Sequence, residues 1–192
     1  MAAVLSTIWQ LAETGAQIAG AAAAAMAGSW IAGRRDRFGP AGTPIVASLF
    51  LACLLCLSLA AAPMGGGGQG LFEAACNLAS LFAVYRLFGS DGRDSSLAPI
   101  RPVVLALAFV EMLVFAFEVL VPKLGLGGTA ASATFEVAVL FRLLVAIGGL
   151  VLVHNLYAGA AAQARLVLRW PALALGVFWG FDLNLHTIAY LG

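Results

Sequence analysis

The sequence predicts an all-α fold, a polytopic transmembrane helix bundle of about six spans, and three observations predict it. Hydrophobic residues make up 62% of the 192-residue chain and charged residues only 10%. Soluble domains carry about 25% charged residues, so this chain has too little polar surface to coat a body in water. The apolar residues fall in runs of about 20, the length a helix needs to cross hydrocarbon. The ten basic residues lie mostly at the ends of those runs, where they act as topology signals. Scattered in this way, with a net charge of +1, they give no reason to expect nucleic acid as a partner. Spans and short turns use up the chain, which reads as one membrane module with the lipid bilayer as its solvent.

The first span extends from about Val4 to Gly33. Its Ala19–Ala27 stretch is nearly all small residues, and alanine is only weakly driven into lipid. Packing favours the span instead, since Gly15, Gly20 and Gly28 with the intervening alanines offer a face on which a neighbouring helix can approach closely. No Lys or Arg precedes Arg34, so the basic region of a secretory signal is missing and this run is expected to be retained. The second span, Ala41 to Ala62, is rich in Leu and bounded by Pro40 and Pro63. Gly65–Gly68 then reads as a flexible hairpin, because no Gly-Lys-Ser/Thr follows to make a phosphate cradle.

Leu71 to Phe88 forms the third span, and Gly89–Ser96 the polar turn after it. The fourth runs from Pro102 to Val121 and stops at Pro122. After a Gly-containing loop come the fifth, Ala133 to Tyr157, and the sixth, Leu166 to Leu191. Trp9, Trp30, Tyr157, Trp170 and Tyr190 fall near span ends, where aromatic belts anchor helices, whereas Trp179 lies mid-span beside Gly176 and Gly180 and reads as a packing residue. Cys53, Cys56 and Cys76 are odd in number and lie within apolar runs, without partners at metal-ligand spacing. They read as small packing residues, and no metal site is expected.

Orientation follows from the arginines. Arg34, Arg35 and Arg37 follow span one, Arg86, Arg93 and Arg101 flank the turn after span three, and Arg165 and Arg169 open span six. All eight fall on one side, against Lys123 alone on the other, so the N-terminus is expected outside and the odd-numbered connections in the cytoplasm. Six spans then bring the C-terminus outside with no soluble domain attached, as expected of a module from a longer chain.

Ionisable residues within spans are costly unless they pair or face water. Glu111 lies about 15 Å into span four and Arg142 about 14 Å into span five from the opposite side, counting about 1.5 Å per residue. A Glu111–Arg142 ion pair is therefore expected, serving either to fix helix register or to take part in sensing. Asp182 and His186 stand four residues apart on one face of span six, with Asn184 round the other side. Asp182 can offer Arg142 a second carboxylate. His186, nearer the outer surface, either helps bind a proton or cation or is a hydrogen-bonded interfacial residue. Glu118 shares a face with Glu111, and with Glu13, Glu73 and Glu136 it makes the outer half of the bundle acidic.

The last third of the chain reads LVAIGGLVLVHNLYAGAAAQARLVLRWPALALGVFWGFDLNLHTIAYL. It resembles the membrane sensor region of the PrsK-type histidine kinases, associated with the PEP-CTERM exopolysaccharide and protein-sorting system. The resemblance lies in Leu152–Tyr157, matching a Leu-Val-Glu-Asn/Gln-Leu-Tyr element, in the short basic turn, and in Gly176–Tyr190, matching a Gly-rich start with a Phe-x-Tyr-Asp-Leu-x-Leu-Tyr centre. Arg142 also resembles an arginine the family carries in the same span, and Asp182 is kept. His154 stands where the family usually has Glu, Ala158-Gly159 replaces Arg-Asn, Gly180 falls where Tyr is expected, and His186 replaces a Tyr. The likeness covers about fifty residues; in the first 130 only the pattern of spans agrees.

The resemblance implies a sensory module in a bacterial inner membrane. It implies a parent chain continuing through further helices to a GAF-like domain and a kinase that uses ATP and Mg, dimerises, and phosphorylates a response regulator. These 192 residues contain no His-box helix or nucleotide-binding motif, so no catalytic residue and no cofactor is expected in them. The alternative is a small proton- or cation-coupled transporter with Glu111, Arg142, Asp182 and His186 as a midplane site, although no inverted repeat supports it. An intramembrane hydrolase lacks its motifs, since neither histidine accompanies a Gly-x-Ser-x-Gly or His-Glu-x-x-His.

Overall fold

A computed structural model of the chain describes residues 2–34, 41–61, 69–90, 94–123 and 129–191. They form six helices, α1 (Ala2–Ala32), α2 (Gly42–Ala61), α3 (Gln69–Ser90), α4 (Asp94–Lys123), α5 (Thr129–Gly159) and α6 (Ala162–Leu191). No strand occurs among the described residues, and the all-α membrane fold read from the sequence is what the chain adopts. Five helices, α2 to α6, are long and apolar enough to cross a membrane. α1, with 31 residues, has the length but is not among those five.

The helix ends differ from the expected spans where prolines were read as boundaries. α4 begins at Asp94 and runs through Pro99 and Pro102, then past Pro122 to Lys123, and α6 continues through Pro171. A proline removes one backbone donor, and within a bundle neighbouring groups can satisfy the freed carbonyl, so helices there tolerate it. The connection between α5 and α6 shrinks to Ala160 and Ala161.

The chain divides into two compact units, Met1–Ala79 and Ser80–Gly192, with the boundary inside α3. In the first, α1 packs on α2 through small residues. A Cβ on Gly20 would lie 3.3 Å from Cys56 Sγ, and one on Gly28 would lie 3.5 Å from Leu49 Cβ. Gly15, also expected on that face, has open space around it. The Cys76 thiol donates to the Ser48 carbonyl at 3.9 Å, tying the start of α3 to α2. The three cysteines are free thiols.

In the second unit, α5 lies between α4 and α6. Gly148 receives the Leu107 side chain of α4 and the adjacent Gly149 receives the Trp179 indole of α6. Trp179 is completely buried, with its ring over Gly149, whereas Gly176 and Gly180 beside it in sequence have open space where a Cβ would be. One turn of α5 thus carries two small residues because two neighbours press on it from different sides. Phe117 and Phe141 stack between α4 and α5, with ring centroids 6.2 Å apart. Outward, Leu166, Trp170, Leu173, Val177, Phe181 and Ile188 line α6 as an exposed apolar stripe, the pattern of a helix whose solvent is lipid.

Several topology-setting arginines also hold structure. Arg165 donates from Nε to the Ala160 carbonyl at 2.8 Å and from Nη2 to the Ala158 carbonyl at 3.1 Å, satisfying acceptors that the end of α5 leaves open. Arg34 lies over the Trp30 ring, Arg86 over Phe82 and Arg169 over Trp170, at 4.2, 5.7 and 4.8 Å from the centroids. Arg101 is exposed near the start of α4, and Arg35, Arg37 and Arg93 lie outside the described residues.

Candidate functional site

The site grows from Arg142, in the first half of α5. A guanidinium cannot lose its charge in a protein, so inside a span it must be met by carboxylates or carbonyls. The Arg142 side chain is 11% exposed and forms an ion pair with Glu118 of α4, whose side chain is 33% exposed. Arg142 also acts electrostatically on Asp182 and His186 of α6. One cation on the middle helix thus answers groups on both flanking helices.

Glu118 meets Arg142 for a reason that counting depth by Cα position overlooks. Helical side chains lean toward the N-terminus of their own helix. Arg142 therefore leans toward the start of α5, which lies beside the end of the antiparallel α4, where Glu118 stands. Arg142 thus has an ion-pair partner in Glu118, one of the acidic outer-half residues.

Glu111 itself is 1% exposed, on the same face of α4 as Leu107 and Val114, both buried. A carboxyl group this deep in a helix bundle is costly in any form. It marks α4 as carrying polar groups at two levels, Glu111 within the bundle and Glu118 near the end of its span. Asp182 and His186 share the α6 face that holds Trp179, whose indole sits on Gly149 of α5, and both lie within electrostatic reach of Arg142.

Of the four residues singled out from the sequence, Asp182 and His186 each come within electrostatic reach of Arg142, and Glu111 lies buried on the neighbouring α4. The reading missed the ion pair of Glu118 with Arg142 and the role of Gly148–Gly149, which seats the two flanking helices. The Gly-Gly pair in the middle of a span was the visible signal for the second. Asn77 and Ser80, buried on α3, were not singled out either.

Fold and site together define a polytopic α-helical membrane protein with an ionic network built inside a three-helix unit. Comparison with protein-family models, with curated proteins and with solved structures gave no match to the chain.

Proposed function

We propose that the chain is the membrane-embedded sensory module of a two-component sensor histidine kinase of PrsK type. One observation carries the reading: Arg142 pairs with Glu118 on one side while Asp182 and His186 lie within its electrostatic reach on the other. A cation with partners on two helices is an element that two packings of the bundle satisfy differently. A signal that binds or strains one packing better would shift the balance between them by its difference in affinity for the two.

The resemblance falls on the same helices, since its two elements are the end of α5 and the second half of α6, joined by the turn that Arg165 clamps. A tilt of α6 at Arg142 would be passed along α6 and through that stiff hairpin. In this reading the module sits in a bacterial inner membrane with its N-terminus outside, and the network lies in the outer half of the bilayer. The parent protein is a homodimer whose kinase domain uses ATP and Mg and phosphorylates a response regulator.

The test uses the full-length parent protein in liposomes, with autophosphorylation followed from labelled ATP. Arg142→Leu and Asp182→Asn should each change the rate several-fold while inserting normally. Unchanged rates in both would leave the network purely architectural and sink the reading. A proton or cation flux into liposomes, lost in the same variants, would establish the carrier alternative in its place.

A further inference from the structure

We infer that the turn end of α6 is a docking surface for an anionic phospholipid, its phosphate held by Arg169 with Arg165 one turn above, and its acyl chain lying along the exposed stripe that begins at Trp170. The inference goes beyond the sensor reading and holds equally for a carrier, since it needs only that α6 crosses a bilayer.

The sequence leaves this end of the α5–α6 hairpin with charge that it does not cancel. Arg165 and Arg169 stand four residues apart, on one face of the helix. No Asp or Glu occurs between Glu136, in the first turns of α5, and Asp182, past the middle of α6, and both of those lie well away from the turn. Among the described residues neither guanidinium has a carboxylate partner.

Both cations are held in place and yet open. The bonds from Arg165 to the Ala158 and Ala160 carbonyls use Nε and Nη2, which leaves the Nη1 donors of this exposed side chain unused. Neutral carbonyls do not cancel its charge. Arg169 is exposed as well, with its guanidinium over the Trp170 indole at 4.8 Å. Stacking takes up the face of the guanidinium and leaves its N–H edge, the edge through which arginine takes phosphate oxygens, often two at once.

Depth and charge identify the occupant. Arg169 is the second residue of the apolar span Leu168–Leu191, which puts it at the boundary between hydrocarbon and water, where lipid phosphates lie. Further along the helix Trp170, Leu173 and Val177 are all exposed, so an apolar track leads from the cation into the bilayer. A soluble anion would use the cation and leave the track bare. A phospholipid fits both, with its head at Arg169 and its tail along the track. A zwitterionic lipid brings the same phosphate with an ammonium attached, which Arg165 repels, so the site favours a lipid of net negative charge.

Phosphatidylglycerol is the probe and Trp170 the reporter. In the full chain with Trp9 and Trp30 replaced by Phe, the tryptophans left are Trp170, exposed at the site, and Trp179, completely buried and shielded from quenchers in lipid. Vesicles of phosphatidylglycerol and phosphatidylcholine carry bromine on the acyl chains of one lipid and then of the other, and the ratio of quenching gives the lipid preference at Trp170. The parent chain should prefer phosphatidylglycerol about five- to twenty-fold, the attraction of one to two basic residues at a membrane surface. Arg169→Gln should lower the preference several-fold, and adding Arg165→Gln should bring it close to one. Arg169→Lys should keep most of it. Arg101→Gln, which removes an exposed cation at the same end of the unit but on α4, should leave it unchanged.

Equal quenching by the two lipids in the parent chain overturns the inference, and so does a preference that survives Arg169→Gln. An equal loss in Arg101→Gln also overturns it, because the attraction would then belong to the whole surface and not to α6. Among the described residues Arg169 touches only the Trp170 ring, so Arg169→Gln should fold as the parent does, with Trp179 emission unchanged. Salt gives a test free of any variant: the preference of the parent chain should fall as ionic strength rises, and a preference indifferent to salt overturns the inference. None of these outcomes bears on phosphorylation, so the sensor reading stands or falls separately.

Discussion

The α1–α2 pair and the α4–α5–α6 unit are both helix packings built on glycine, yet they hold together in different ways. Between α1 and α2 a Cβ on Gly28 would meet Leu49 at ordinary van der Waals distance and one on Gly20 would press only slightly on the end of Cys56, at 3.3 Å. In the second unit the glycines are overfilled by Leu107 and Trp179, and an Arg142–Glu118 ion pair lies alongside. Lipid is as apolar as leucine, so an interface of apolar groups has only close packing to favour it. A charged contact adds a demand, because either partner left alone in the bundle is strongly unfavourable. The first interface should therefore be tolerant and adjustable, and the second specific and brittle.

The largest effect expected on this comparison comes from Arg142→Leu. Removing one partner of a buried ion pair costs about 3–5 kcal/mol, and the partial exposure of Glu118 puts the value here at the lower end. Denaturant unfolding of the purified protein in detergent, followed by circular dichroism, measures it. The double variant Arg142→Leu with Glu118→Leu should recover part of the loss. A single variant as stable as the parent would mean that the ion pair does not hold this unit.

Gly149→Ala ranks next. Its new Cβ would lie 2.4 Å from the Trp179 ring, a rigid group with nowhere to move, so overpacking should cost about 1–3 kcal/mol. Gly148→Ala presses instead on the end of Leu107, a flexible side chain, and should cost less. Trp179 fluorescence reports the difference, with a shift in Gly149→Ala and little change in Gly148→Ala.

Arg165→Ala removes two hydrogen bonds to the end of α5, at an exposed site where water can replace them, and should cost about 1 kcal/mol or less. Faster hydrogen exchange confined to residues near 160 would locate the loss. The smallest effect has the opposite sign. Gly28→Ala places its Cβ 3.5 Å from Leu49, an acceptable distance, while alanine raises helix propensity by up to about 1 kcal/mol. Stability should rise slightly or stay unchanged. A large loss would show that the α1–α2 contact is as exacting as the other one.

Much of the fold was legible because solvent choice is written in composition. A chain 62% hydrophobic and 10% charged must place helices in lipid, and the length of each run limits its span. Helix ends were legible to within a few residues at Leu191 and Ala61 and poorly at Pro102, because proline ends helices in water more reliably than inside a bundle. The free thiols and the packing role of Trp179 were also readable, though sequence alone did not say that Gly149 is the residue its ring covers.

The sequence by itself determined that a guanidinium and several carboxyl groups would share a membrane interior, since Arg142, Glu111, Glu118 and Asp182 lie within apolar runs and none can be left there alone. Only the tertiary structure decided that Glu118 forms an ion pair with Arg142, and that Asp182 and His186 of α6 lie within electrostatic reach of the same guanidinium. The physical reason is that spacing along a helix fixes the face and the depth of a Cα atom. The choice of partner depends on which way two long side chains lean across an antiparallel contact, and that is settled when the helices pack.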